Sequence, residues 1–263
     1  MPVTDSGTFY HTYGSPETPP VIFIHGLGLT HQTWDSFVPA FAERYYVITY
    51  DLCGHGQSRL PEGQVTLSTL SQQIRELMDC LSLQAAHLVG FSLGGMINRR
   101  FAMDYPDEVL SLAILNSPHE RDPALQEQVE AQAIASAQGG IEAILDAALI
   151  RWFTAGFRGQ QPDKVDTIRQ TLLRNDTENY AKHRFVLANG VLELIAPTPA
   201  LTHPTLIITC ENDTGSTPAM SEAISREITG SQLLILPQLQ HLGLLEAPEQ
   251  FIAPLLSFLP QTP

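Results

Sequence analysis

Short apolar runs rich in Val and Ile alternate along this chain with longer stretches that repeat apolar residues at helical spacing. That alternation restricts the fold to α/β: βαβ units around a mostly parallel sheet with helices on both faces. The runs are Val21–His25, Tyr46–Asp51, His87–Phe91, Leu110–Asn116, Thr205–Cys210 and Gln232–Leu236, with Thr8–Tyr13 as an antiparallel strand before them. Leu70, Ile74, Leu77 and Leu81 mark a helix over Leu67–Leu81, and Gly94–Tyr105, Pro218–Ile228 and Pro248–Leu259 also read as helices.

Between residues 118 and 200 the strand-like runs stop, and Ala, Gln and Leu recur at helical spacing. The spacing predicts helices over Pro123–Ala137, Ile141–Trp152, Pro162–Leu173 and Glu178–Ile195, before Pro197, Pro199 and Pro204 mark the return to the sheet. The expected organisation is an α/β core of residues 1–117 and 201–263, interrupted by a helical cap of residues 118–200.

The chain carries 14 Lys and Arg against 28 Asp and Glu, a net charge of −14. Phosphate backbones and anionic membrane surfaces require clustered cations, so neither nucleic acid nor membrane is expected as a partner. More than half of the basic residues fall within 118–200. Most are expected on solvated helix faces, with a few left to face an anionic ligand. Cys53, Cys80 and Cys210 are widely spaced and form no C-x-x-C pair, which reads as reduced structural thiols. The first residues lack the basic end and apolar stretch of a secretory leader, and a cytoplasmic protein is expected. No sequence signal points to a particular oligomeric state.

The sharpest chemical motif is Gly90-Phe91-Ser92-Leu93-Gly94, which lies directly after one apolar run and directly before a helical pattern. A strand turning sharply into a helix strains the serine backbone, and glycines two positions either side relieve the resulting crowding. Ser92 then projects its oxygen at the carboxyl end of the strand. The Leu93 N–H, at the start of the helix, is free to donate to a developing oxyanion. A serine alcohol needs a base and an orienting acid. Asp213 and His241 each follow a later strand, in that order; Glu211 is the rival acid. The second oxyanion donor is expected from His25-Gly26-Leu27-Gly28, through the Leu27 N–H. His25 precedes that turn and reads as a hydrogen-bonded structural residue rather than a base.

These motifs together resemble the α/β-hydrolase superfamily over nearly the whole chain. They are His25-Gly26-Leu27-Gly28 with Trp34, the stretch from Asp51 through Gly54-His55-Gly56 to Ser58, Gly90 to Gly95, Asp213 before Thr217-Pro218, and His241 before Glu246 to Glu249. The resemblance implies a sheet of eight strands, or seven if one is missing at the start, with the cap after the sixth. It carries a catalytic triad onto Ser92, Asp213 and His241, and makes Asp51 and His55 braces for a loop beside the site. Arg151-Trp152-Phe153-Thr154 resembles the cap of 3-oxoadipate enol-lactonases and related carboxylesterases. Gln240 and Cys210 depart from the pattern, since glycine is common at both positions. Ser92 argues against haloalkane dehalogenases and epoxide hydrolases, which use aspartate there.

The resemblance implies a serine hydrolase of small esters or lactones, with no cofactor and no metal. The same residues suit two alternatives: a ligand receptor on this fold, or an acyltransferase or perhydrolase in which another nucleophile replaces water. Trp152, Phe153 and Phe157 are candidates for the substrate pocket: each reads first as packing cap onto core, and one or two of them are expected to touch the substrate. Arg151 and Arg158 flank them, and if the substrate is an anionic lactone or ester, one of the two is expected to hold its carboxylate.

Overall fold

The computed structural model describes residues 2–60 and 63–260. Seven strands form one sheet: β1 (Tyr10–Tyr13), β2 (Pro20–Ile24), β3 (Tyr46–Tyr50), β4 (Ala86–Phe91), β5 (Val109–Leu115), β6 (Thr205–Cys210) and β7 (Gln232–Leu236). Their order is β1-β3-β2-β4-β5-β6-β7, with β1 antiparallel to β3 and every other pair parallel. The central strands are apolar on both faces because both faces are covered: every residue of β4 and β6 is buried. Truncating one such residue, Leu88 for example, to alanine is expected to cost about 2–5 kcal/mol.

Helices α1 (Val38–Ala42), α2 (Leu67–Cys80) and α3 (Leu93–Asp104) connect the first four parallel strands. The α2 helix starts at a reciprocal cap in which Thr66 and Thr69 each bond the other's backbone N–H. Five helices then stand between β5 and β6 as the cap: α4 (Pro123–Gly139), α5 (Glu142–Trp152), α6 (Ala155–Gln160), α7 (Pro162–Leu173) and α8 (Thr177–Asn189). The chain returns through β6, α9 (Pro218–Glu227), β7, α10 (Gly243–Glu246) and α11 (Pro248–Phe258). With seven strands the cap follows the fifth of them, which is the sixth of an eight-strand count.

One cap expectation needs correction, and one cap helix, α6, was not expected. The helix expected over Glu178–Ile195 ends at Asn189 and passes into a 3-10 turn, Gly190–Leu194. A side chain at Gly190 would press on Leu67, so the chain turns where it meets α2. Helix α6 has no apolar periodicity long enough to read; it forms because Thr154 accepts the Phe157 N–H at its first turn.

Chain crossover places the site. From β2 the chain runs outward to β3, then returns past β2 to β4, so the connections diverge between β2 and β4. Ligand crevices form at the carboxyl ends of strands beside such a point. Ile24 is paired with Gly90, so both chains leave the sheet at one level and bring Gly26 against Ser92.

Candidate active site

Ser92 joins β4 to α3 with φ 55° and ψ −113°, a conformation that non-glycine residues rarely adopt. The neighbouring glycines are required by contact. A side chain at Gly90 would overlap the Gly94 carbonyl, and one at Gly94 would overlap the Ile24 carbonyl. The Ser92 N–H is held by Leu115 O of β5 at 2.8 Å, so the sheet fixes the turn.

His241 lies in the loop after β7. Its Nε2 is 3.2 Å from Ser92 Oγ, and its Nδ1 is 2.6 Å from Asp213 Oδ2 in the loop after β6. Asp213 is 3% exposed. Burial works against its charge, but the His241 ring, the Asn116 amide and the Ser216 N–H outweigh it and hold the carboxyl below its ordinary value. Gly215 and Ser216 donate to Oδ1 at 2.9 Å each, and Asn116 Nδ2 donates to Oδ2 at 2.8 Å. An ionised Asp213 keeps a proton on His241 Nδ1 and leaves Nε2 to accept from the serine hydroxyl. The rival acid Glu211 is exposed and accepts the Gln238 N–H instead.

Leu93 is the first residue of α3, where an N–H has no partner inside its helix. Its side chain is buried. Leu27 stands on the facing turn after β2 and lines the cleft. His25 is fully buried: Nδ1 meets Gly26 O at 2.8 Å, and Nε2 accepts the Leu52 N–H at 2.9 Å. It braces the turn, as expected. Asp51 accepts from the His31 and Gln57 N–H groups and from the His31 ring, while His55 Nδ1 meets Cys53 O at 3.2 Å.

The serine and histidine lie at the floor of a cleft of about 800 Å³ including its mouth. Phe91, Trp152, Leu187 and Leu242 supply apolar wall, while Arg121, Arg151 and Arg184 reach in from the cap side. The sequence profile described as alpha/beta hydrolase fold matches residues 19–248. The chain belongs to this family.

This α/β hydrolase is similar to 3-oxoadipate enol-lactonase 2 of Acinetobacter baylyi, at 28% identity over 242 residues, covering 92% of this chain and 89% of that protein. It is also similar to (E)-2-((N-methylformamido)methylene)succinate hydrolase of the same organism, at 28% over 256 residues, covering 96% and 95%. Among solved structures, the enol-lactonase from Burkholderia xenovorans superposes with a TM-score of 0.88 at 26% identity, covering 97% of each chain. Among the described residues, no helix of the hydrolase is long and apolar enough to cross a membrane.

The pocket expectations divide. Trp152 and Arg151 line the cleft, and the Trp152 ring centroid is 6.1 Å from that of His241. Phe153, Phe157 and Arg158 do not. The backbone turns extended at Phe153, which is 1% exposed and stacks on Phe157 at 5.2 Å within the packing of cap on core. Arg158 turns back from α6 onto the end of α5 and donates to the Ile150 and Phe153 carbonyls. An α5 carboxyl terminus of unpaired carbonyls attracts that cation.

Both departures from the α/β-hydrolase pattern are accommodated. The left-handed residue of the His241 loop is Gln238, φ 61°, so Gln240 needs no glycine freedom. Cys210 packs where Gly243 leaves room and donates weakly to Asn116 Oδ1 at 3.7 Å. Burial pushes its thiol up to about 12, which keeps it protonated. Sequence reasoning missed Asn116, Gln132, Arg184 and Glu246. Asn116 had a faint signal, a polar residue closing a strand run; Glu246 stood in a motif given no role, Arg184 was one of the basic residues of 118–200, and Gln132 had no signal.

Proposed function

We propose that the protein hydrolyses a small carboxylic ester or lactone with Ser92 as nucleophile, His241 as general base and Asp213 as its orienting acid, in a cleft covered by residues 118–200. The protein is a carboxylic ester hydrolase. The observation that carries the reading is the continuous bond chain from Asp213 through His241 to Ser92, at the carboxyl edge of the sheet and open to the cleft.

In the first half-reaction His241 Nε2 takes the Ser92 proton as Oγ attacks the carbonyl carbon, and Asp213 steadies the imidazolium. Negative charge that builds on the carbonyl oxygen is met by the Leu27 and Leu93 N–H groups. Collapse expels the alkoxide, which takes the proton from His241, and leaves an acyl-serine. Water then repeats the sequence, giving the acid and restoring Ser92. In a lactone the alkoxide stays tethered, so one open-chain hydroxy acid, or its keto form, is released.

The test is a fluorophosphonate probe followed by peptide mapping, together with p-nitrophenyl acetate turnover. The expected result is labelling at Ser92 and many turnovers per chain. Labelling elsewhere removes the nucleophile, and one burst without turnover replaces the enzyme with a receptor. Higher turnover with added alcohol or peroxide than with water favours acyl transfer or perhydrolysis.

A further inference from the structure

Arg184 projects from α8 into the cleft while remaining only 8% exposed. One terminal nitrogen donates to Gln132 Oε1 of α4 at 3.0 Å, and its buried Nε has no acceptor. Among the described residues, no ion pair within 4.0 Å includes Arg184 or the cleft's other two arginines, Arg121 and Arg151. Arg121 is satisfied by other means, donating to Gln126 and to the carbonyls of Leu187 and Ala188. Arg151 stays open to solvent at the rim, near enough to Arg184 for their like charges to oppose each other. Asp213 is the one acidic residue among those lining the cleft, and both its oxygens are already taken.

An arginine withdrawn from water with an unmet N–H and no counter-charge costs folding free energy. The cost is offset when a ligand supplies the missing anion. Long-range attraction is not available for this, because a chain of net charge −14 repels anions at a distance. Recognition therefore has to be local. The planar guanidinium fork matches two carboxylate oxygens, and the apolar wall of Leu29, Val129 and Leu187 suits a short carbon chain between the two ends of a ligand.

We propose that the cleft takes an ester or lactone bearing a second, free carboxylate, and that Arg184, oriented by Gln132, binds that carboxylate. The scissile bond rests on the hydrolase reading above; the carboxylate site rests on Arg184 alone. Arg151 adds positive charge at the rim. Arg158, the other arginine expected from the sequence, takes no part. Hydrolysis of such a hemiester adds water and releases an alcohol and a dicarboxylate.

The kinetic experiment compares p-nitrophenyl hydrogen glutarate with p-nitrophenyl pentanoate, matched in acyl length. The ratio of their kcat/KM values is expected to fall at least about tenfold in Arg184→Gln, mainly through KM for the anionic ester. Gln132→Leu leaves the guanidinium in place but unanchored and lowers the ratio by a smaller factor. Arg158→Gln leaves the ratio as it was. An unchanged ratio in Arg184→Gln, or equal losses on both esters, overturns the proposal.

Binding without turnover separates the two readings. Glutarate is titrated calorimetrically into Ser92→Ala protein and into the Ser92→Ala, Arg184→Gln double variant, with circular dichroism to establish that both are folded. At least about tenfold weaker binding in the double variant is expected. Glutarate binding that depends on Arg184 in a protein cleaving no ester ends the hydrolase reading and keeps the carboxylate site. Ester cleavage with glutarate binding absent or indifferent to Arg184 ends the carboxylate site and keeps the hydrolase.

Discussion

Asn116 Nδ2 donates to the same Asp213 oxygen, Oδ2, that holds the His241 ring, at 2.8 Å against 2.6 Å for the imidazole. Asn116 reaches that position from a left-handed backbone, φ 44°, just beyond β5, with its N–H bonded to Ile208 O of β6. Asparagine tolerates that conformation better than most residues. The amide therefore fixes the carboxylate in the plane from which it meets the histidine.

Asn116→Ala removes one donor from a buried carboxylate. Stability should fall by about 1–3 kcal/mol. The rate should fall roughly 10- to 100-fold through kcat, as the His241 ring loses its fixed orientation. Steady-state kinetics beside a urea melt check both. A loss confined to KM would place Asn116 outside this positioning role.

The triad assignment makes a graded prediction. Ser92→Ala should lower kcat by about 10⁴- to 10⁶-fold with the fold intact. Asp213→Asn should cost on the order of 10⁴ by favouring the wrong imidazole tautomer. Glu211→Gln should cost little, because Glu211 meets only the Gln238 N–H at the surface. Reversal of the last two outcomes would transfer the acid role to Glu211.

Cap and core are tied beside the histidine. Glu246 of α10 accepts both the N–H and the hydroxyl of Thr154 at 2.7 Å each, and Leu242 N–H donates to Trp152 O at 2.9 Å. Glu246→Ala leaves the start of α6 without its acceptors. Hydrogen exchange at residues 154–158 should rise while β4 and β6 stay protected, and the melting midpoint should drop by a few degrees. Unaltered exchange over α6 would mean that the cap is held elsewhere.

Stability should decline on mild acidification. Burial pushes His25, His87 and His183 down to about 4, and His55 is depressed in the same direction by burial and the nearby His183 and His25 rings. Unfolded histidine titrates near about 6.5. Between those values the unfolded chain binds more protons, so the stability present above that range is lost as pH falls. Each histidine contributes up to about 1.4 kcal/mol per pH unit. Asp213, depressed relative to an unfolded carboxyl near about 3.9, adds a further loss at lower pH. Denaturant midpoints at pH 7.5, 6 and 5 measure the slope; a flat profile would contradict these burial effects.

Local sterics make much of the molecule legible in its amino-acid order. The Val and Ile runs specify the strands to within a residue or two, because a strand covered on both faces has no alternative to continuous apolarity. Gly90, Ser92 and Gly94 announce their turn, since a strand cannot enter a helix that tightly without them. Asp213 and His241 follow from chain order once the serine is placed. Residue spacing alone does not say how a helix is rotated on its neighbours. That rotation turns Trp152 and Arg151 toward the cleft and Phe153 into the core, and it brings Arg184 of α8 against Gln132 of α4. Asn116 likewise acquires its partner 97 positions away only when β5 and β6 pair. The strand runs and the glycine-serine turn could be read from the chain because a few adjacent residues signal each of them, and Asp213 and His241 were expected from their order along it. What surrounds those groups is set in three dimensions, because those contacts join segments that meet only after the chain has folded.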